Sequence, residues 1–410
     1  MSKRRVVITG LGIVSPVGIG ISTTWQNIVA GKSGITKITH FDASAMAAQI
    51  AGEVKDFDVT QFLSAKDARR MDRFIHFGLV AGIEAFKDSG LEVSEQNADR
   101  IGVNIGSGIG GLPMIEDTHN EYLAAGPRKI SPFFIPGTII NMISGNLSVM
   151  YGLKGPNLAM VSACTTGTHC IGESARIIEY GDADVMIAGG SEATIAALAV
   201  GGFSSARALS TRNDDPATSS RPWDKDRDGF VMGEGAGVMV LEEYEHAKAR
   251  GANIYAELAG YGMSGDAYHI TSPNSDGPRR SMLNALRNAG LNPDAVQYVN
   301  AHGTSTPLGD KNETDAIKLA FGDHAYKLVV NSTKSMTGHL LGGAGGIESV
   351  FCALAVHNQI SPPTINIFEQ DSECDLDYCA NFARDMEIDV AVNNNFGFGG
   401  TNGSLVFKKV

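Results

Sequence analysis

The sequence is short of several things, and each shortage removes a class of function. Lys and Arg total 33 against 45 Asp and Glu, a net charge of −12. No overall basic footprint for nucleic acid exists on such a chain. Only five cysteines occur, at 164, 170, 352, 374 and 379. The number is odd and no CxxC pair is present, so neither a zinc knuckle nor a disulfide framework fits, and a reducing cytoplasm is the expected setting. No stretch approaches the ~20 consecutive apolar residues of a membrane span. The N-terminal MSKRRVVITGLGIVSPVG begins like a signal peptide, but Gly10, Gly12, Ser15 and Pro16 break its apolar run. A buried first strand is the expectation there.

What is present in quantity is glycine, 49 of 410 residues, clustered in short runs. Such clusters mark tight turns and places where backbone approaches something closely. Hydrophobic residues at 43% and charged ones at 19% describe an ordinary globular chain. Short β-branched runs, at 5–9, 101–106, 185–189, 237–242, 256–261, 298–301, 328–332 and 403–408, alternate with helical patterns at 75–89, 167–180 and 280–289. That alternation predicts an α/β fold with mostly parallel buried strands. The polar stretch 203–235 reads as a long surface excursion. Two similar successions of strand and helix hint at duplication, with halves at 1–250 and 251–410.

Three patterns imitate known sites. GSGIGG at 106–111 satisfies the dinucleotide fingerprint, yet Pro113 and a polar stretch with Glu116, Asp117 and Glu121 follow, without a second strand. It reads as a loop against another ligand or the core. DKDRDG at 224–229 opens like a calcium loop, but its twelfth position is Gly235, so a structural turn is expected. The ten histidines form no HExxH set. His76, His119, His246 and His357 read as surface or satisfied core residues, and no metal site is expected.

Chemistry concentrates in four segments. In MVSACTTGTHCIG an apolar run meets small residues and then a helical pattern, which places Cys164 at a helix N-terminus. Exposed N–H groups there favour a thiolate. Cys170, further along, reads as buried packing. VNAHGTSTPLGD carries His302 just past a strand, and NSTKSMTGHLLGGAGGIES carries Lys334 and His339 in the same relation. A nucleophilic Cys with two His and a Lys on such loops suits acyl transfer followed by carbanion chemistry, because neutral imidazoles donate to a thioester oxygen as it becomes an enolate. In NNNFGFGGTNGS the glycines bring N–H groups near a ligand, and that of Phe398 joins that of Cys164 as a candidate oxyanion hole.

Together these segments resemble the β-ketoacyl-[acyl-carrier-protein] synthases, most nearly the elongating type II enzymes. The likeness runs from the first strand to the last residues. It implies a thiolase-like, duplicated, five-layered αβαβα fold and a homodimer. Cys164 becomes the acyl-carrying nucleophile; His302 and His339 polarise a malonyl thioester and assist its decarboxylation. Lys334, bridged to Glu348, becomes their electrostatic partner, and Phe398 also a gate. Thr304, Thr306 and Thr271 are implied to bind a phosphopantetheine arm, and Ile109 and Phe203 to line an acyl pocket. Lys66, Arg69, Arg70, Arg128, Lys129 and Arg207 are implied to dock acidic acyl carrier protein. No resident cofactor, metal, nucleic acid or membrane is implied. The extra threonines Thr165, Thr166 and Thr168 and the additional glycine of GGAGG are expected to alter packing only.

Neighbouring families differ at identifiable positions. Thiolases place a second Cys in the C-terminal Gly-rich motif, which has none here. Priming and plant-type polyketide synthases replace the second His, present here as His339. Chain-length factors carry Gln where this chain has Cys164.

Overall fold

A computed structural model describes residues 3–410. Ten strands build the main sheet. In the first half they are β1 (Val6–Ser15), β2 (Ile101–Gly106), β3 (Asn157–Leu158), β4 (Val185–Glu192) and β5 (Gly235–Glu243). In the second they are β6 (Ala256–Gly265), β7 (Tyr298–Asn300), β8 (Val329–Asn331), β9 (Val390–Gly397) and β10 (Thr401–Lys408). The spatial order is β8-β7-β9-β10-β6-β1-β5-β4-β2-β3, and the short strand Gly18–Ile19 folds back on β1.

That order contains the duplication. Within each half the third strand flanks the second, then come the fourth, the fifth and the first. Pairing direction repeats as well: β5 runs antiparallel to β1 and β4, as β10 does to β6 and β9. The inner pairs β2·β4, β2·β3, β7·β9 and β7·β8 are parallel. The sheet is therefore mixed, and the expectation of mostly parallel strands is corrected. In each half the last strand lies antiparallel between the fourth and the first. Within the sheet the halves join through two residue pairs, Val7 with Glu257 and Ile8 with Ala256.

Helices repeat too. In chain order they are α1 (Arg73–Asp88), α2 (Thr166–Tyr180), α3 (Asp276–Ala289), α4 (Pro307–Phe321) and α5 (Ala344–Asn358). α1 covers the outer face of the first half-sheet and α3 that of the second. Each lies close to a Gly-x-Gly pair in its own first strand. A Cβ on Gly12 would stand 1.9 Å from the Ala81 carbonyl oxygen of α1, and one on Gly262 would stand 2.2 Å from that of Ser281 in α3. α2 and α5 fill the space between the half-sheets. α5 is buried from Ala344 to Val356, which explains its apolar sequence on every side. Three apolar cores follow: an outer one under α1, an outer one under α3 and α4, and a central one around α2 and α5. These are the five layers.

The stretch 203–235 runs over the surface only as far as about residue 218 and is then largely buried. Ser219, Ser220, Trp223 and Asp224 are buried, and Trp223 stacks on Tyr378 with ring centres 4.1 Å apart. Arg227 is held 3.2 Å from Asp310 and 2.7 Å from Asp371. The buried polar residues of its second part find their partners elsewhere in the chain, while Asp214, Asp215, Lys225 and Asp226 stay exposed. Asp224 of the calcium-like motif accepts from the N–H groups of Asp226, Phe368 and Glu369 and so serves as a backbone anchor.

Candidate active site

Cys164 lies in the 3₁₀ turn Ala163–Thr165, immediately before α2. Ala163 adopts φ 51°, a strained left-handed conformation for a residue with a side chain. The turn is fixed from several sides. Ser162 N–H donates to Thr166 Oγ1 at 2.9 Å, Thr166 Oγ1 donates to the Ala163 carbonyl at 2.8 Å, and Ser162 Oγ bonds His169 Nδ1 at 2.7 Å. Chain direction reverses sharply here, and the sulfur is presented to a cavity of about 410 Å³.

His302, His339, Phe203, Thr304, Thr306, Thr271 and Phe398 border the same cavity, together with Phe230, Leu341 and Phe396. Each histidine arrives from the C-terminal end of a strand in the second half-sheet: His302 after β7, His339 after β8 and the short helix Lys334–Thr337. Their rings meet edge to face, centres 5.2 Å apart. Burial lowers both imidazoles well below the usual histidine range, and the Lys334 ammonium pushes in the same direction. Both are neutral at pH 7. Leu341 N–H donates to His339 Nδ1 at 3.3 Å, which leaves the proton on Nε2 as a donor.

Lys334 Nζ and a Glu348 carboxylate oxygen are 2.5 Å apart, both residues 1% exposed, in ionic contact without the alignment of a hydrogen bond. Glu348 also accepts from Asn395 at 2.7 Å. Asn395 in turn accepts from Thr168, and Thr165 Oγ1 donates to the Thr401 carbonyl at 3.0 Å. The extra threonines therefore tie the nucleophile's helix to the C-terminal hairpin, which corrects their reading as packing alone.

The thiol itself differs from expectation. Burial pushes Cys164 up to about 12; Lys334 and the N–H groups of Phe398 and Cys164 oppose that rise, while the Glu192 carboxylate adds to it. Desolvation outweighs the helix terminus, so the resting group is a thiol and not the thiolate. Those two N–H groups nevertheless lie beside the sulfur, where the oxygen of an acyl group held on it would come within their reach. Phe398 sits in the turn between β9 and β10, 42% exposed, with its ring 6.2 Å from that of Phe203. Thr304 and Thr306 hydroxyls are 3.0 Å apart on the opposite wall.

Not every expected residue reaches the cavity. Ile109 is 40% exposed and lies outside it. The N–H groups of its loop turn inward to Glu192, which directs the Ile109 side chain outward. The polar stretch after GSGIGG is the helix Leu112–Ala125, with Pro113 in its first turn. Of the basic residues, Arg69 and Arg70 border a groove with Ser131, Phe133 and Phe134, next to the turn that carries Arg128 and Lys129. Asp117 and Glu121 border it too, and Arg70 stacks over Phe133 at 4.1 Å. Lys66 is exposed on the preceding turn. Arg207 stands apart, between the cavity-lining Ala206 and Ala208.

Two buried carboxylates escape sequence reasoning. Glu313 accepts from the N–H groups of His302 and Gly303 at 2.8 and 2.7 Å, and burial raises it to about 7. Its signal was an acidic residue early in a helix that follows a Gly/Thr/Ser loop with unsatisfied N–H groups. Glu192 closes β4 and is treated below.

Comparison with known proteins gives a consistent result. The family described as "Beta-ketoacyl synthase, N-terminal domain" matches residues 3–247, and "Beta-ketoacyl synthase, C-terminal domain" matches 255–368. Proteins of Coxiella burnetii and Vibrio harveyi named 3-oxoacyl-[acyl-carrier-protein] synthase 2 are each 58% identical, covering 100% of this chain and of themselves. Among solved structures, a type II polyketide acyl-carrier protein in complex with its ketosynthase superposes with TM-score 0.93 at 35% identity, covering 100% of both chains. A β-ketoacyl synthase from Burkholderia phymatum superposes with TM-score 0.92 at 35% identity, over 99% of this chain and 100% of that one.

Proposed function

The chain belongs to the β-ketoacyl synthase family, and from that premise we propose how its residues perform an elongating condensation. It is an acyltransferase, a 3-oxoacyl-[acyl-carrier-protein] synthase, that forms a carbon–carbon bond with loss of CO₂. The observation that carries the residue assignment is the shared cavity of Cys164, His302 and His339, with two neutral imidazoles beside a buried ammonium.

In the first half-reaction Cys164 sulfur attacks the acyl thioester, and the N–H groups of Cys164 and Phe398 hold the oxyanion. Collapse expels the carrier thiol, which leaves with the proton. Removing one such donor typically costs roughly 10²–10³ in rate. In the second, malonyl thioester enters with its pantetheine arm along Thr304, Thr306 and Thr271. Loss of CO₂ leaves an enolate whose oxygen accepts from His302 and His339. The carbanion attacks the acyl-Cys164 carbonyl; collapse expels the sulfur as thiolate, which takes up a proton from water to restore the thiol, and releases the 3-oxoacyl thioester. Neutral imidazoles suit this step, since they donate hydrogen bonds without handing a proton to carbon. Phe203 lines the acyl-binding side, and Phe398 moves aside when Cys164 is acylated.

The reaction exchanges no electrons with a cofactor, so none is assigned; both substrates arrive on phosphopantetheine of acyl carrier protein, docked on Lys66, Arg69, Arg70, Arg128, Lys129 and Arg207. The working form is a homodimer in the cytoplasm. Ile135, Val149, Val161 and Leu198, each more than half exposed in the single chain, and the open edge strand β3 support the dimer. No helix is long and apolar enough to cross a membrane among the described residues.

The test is product analysis by mass spectrometry with acyl- and malonyl-carrier protein. Wild type yields the 3-oxoacyl product two carbons longer, and Cys164→Ala yields none. Retained condensation in that variant overturns the assignment.

A further inference from the structure

We propose that Glu192 is a positioning residue for condensation: its carboxylate clasps the Ser107–Ile109 loop to the Leu341–Gly343 turn and so holds His339 with its proton on Nε2. The inference rests on the condensing role given above to Cys164 and His339.

Glu192 ends β4, is fully buried, and does not border the cavity. Four donors reach it. Ser107 Oγ is at 2.7 Å and Ile109 N–H at 3.2 Å on one oxygen; Gly108 N–H and Gly342 N–H, each at 2.9 Å, are on the other. Ser107 Oγ accepts from Gly110 N–H at 3.1 Å, so its own hydrogen is free to face Glu192. A proton on either carboxylate oxygen would confront a donor, and the group is therefore ionised. Burial raises its pKa while the four donors oppose the rise. Successive N–H groups wrapped around an anion are the geometry of a phosphate-binding nest. In GSGIGG the anion is supplied by the chain itself.

What the clasp holds is strained. Leu341 has φ 50°, between the N–H that serves His339 and the N–H of Gly342 that serves Glu192. Without Glu192 the Gly342 N–H loses its acceptor, the 341–342 peptide is left with the Ala344 N–H on the Leu341 carbonyl, and Leu341 gains by relaxing to an ordinary conformation. The approach is close enough that a Cβ on Gly342 would stand 2.1 Å from Gly108 N. Gly108 in turn faces the carbonyl of Ala163, so one carboxylate registers the histidine turn against the nucleophile's elbow.

The half-reactions separate this from a purely structural role. In Glu192→Gln the amide N–H₂ must face either the N–H groups of Gly108 and Gly342 or that of Ile109. Release of CO₂ from malonyl-carrier protein should fall roughly ten- to hundredfold, the scale of losing a hydrogen bond to a charged group. Acyl transfer to Cys164, read as a mass increment, should persist. Iodoacetamide should modify Cys164 faster at pH 8, because a nearby negative charge has gone. Ser107→Ala removes one donor and should show the same split more weakly, which keeps the test valid where Glu192→Gln does not fold. Both half-reactions falling together, neither falling, or unchanged alkylation overturns the clasp. Wild-type protein lacking either half-reaction would instead overturn the function beneath it.

Discussion

The imidazole of His302 stands edge-on to that of His339, with ring planes at 87° and centres 5.2 Å apart. Rings so close, both bordering the cavity, can offer one N–H each to a single oxygen. His302 is oriented from its backbone by Glu313, and His339 from its ring by Leu341. Either His302→Ala or His339→Ala should lower malonyl decarboxylation by a factor on the order of 10² or more. Acylation of Cys164 should continue in both. Decarboxylation at the wild-type rate would remove their assigned role.

Cys164 is expected to react as a thiol. With its pKa pushed up to about 12, the thiolate fraction, and with it the alkylation rate, should rise about tenfold per pH unit between pH 7 and 9. A plateau near neutrality would show that helix terminus and Lys334 outweigh desolvation after all.

Lys334 has a stability role that can be measured without substrate. Replacing it by Met leaves the Glu348 carboxylate buried without its counter-charge, at a cost of about 3–5 kcal/mol. Urea denaturation would read this as a lower midpoint. Adding Glu348→Gln should recover part of the loss, because it removes the stranded charge. No recovery would mean that packing, rather than charge, dominates at this pair.

The duplicated Gly-x-Gly contact gives a paired prediction. Gly12→Ala and Gly262→Ala each drive a methyl into the backbone of the covering helix, and each should destabilise by about 1–3 kcal/mol or more. Similar losses by denaturant titration are expected from positions 250 residues apart. A neutral result at either one would break the equivalence of the halves.

Reversing Arg128 and Lys129 to Glu should raise KM for acyl carrier protein and flatten its dependence on salt. A small acyl thioester should be used as well as before. Equal effects on both substrates would remove these two residues from docking.

The site was legible where chemistry and turn coincide in a short run of sequence. Cys164, His302, Lys334 and His339 each sit just past a strand, beside glycines or small hydroxylated residues that declare a loop. Most strands showed through their β-branched runs, although β9 was hidden in a segment read only as a turn. The duplication was written in TGLG at 9–12 and AGYG at 259–262, yet two glycines are too little to register before the helices facing them are known. The second part of 203–235 was misread because polarity reports only that partners are needed. Asp310, Asp371 and Tyr378, which supply them, lie about 85–150 positions further along the chain. Ile109 went astray because its loop turns inward to Glu192, whose carboxylate sits at a strand end that sequence gives no cause to single out, and the Cys164 thiol because its burial is set by distant segments.

The seam between the halves also sets a timetable for synthesis. β1 is buried along all ten of its residues, yet its neighbours are β5 and the start of β6, more than 200 residues downstream. At ribosomal rates those partners emerge roughly 10–45 s after β1 does. Throughout that interval the edges of β1 are covered only by the short return at Gly18–Ile19, although α1 can already lie against one of its faces. The edges of β1 are thus completed only after the middle of the chain is made, which leaves them open to wrong pairing in the meantime.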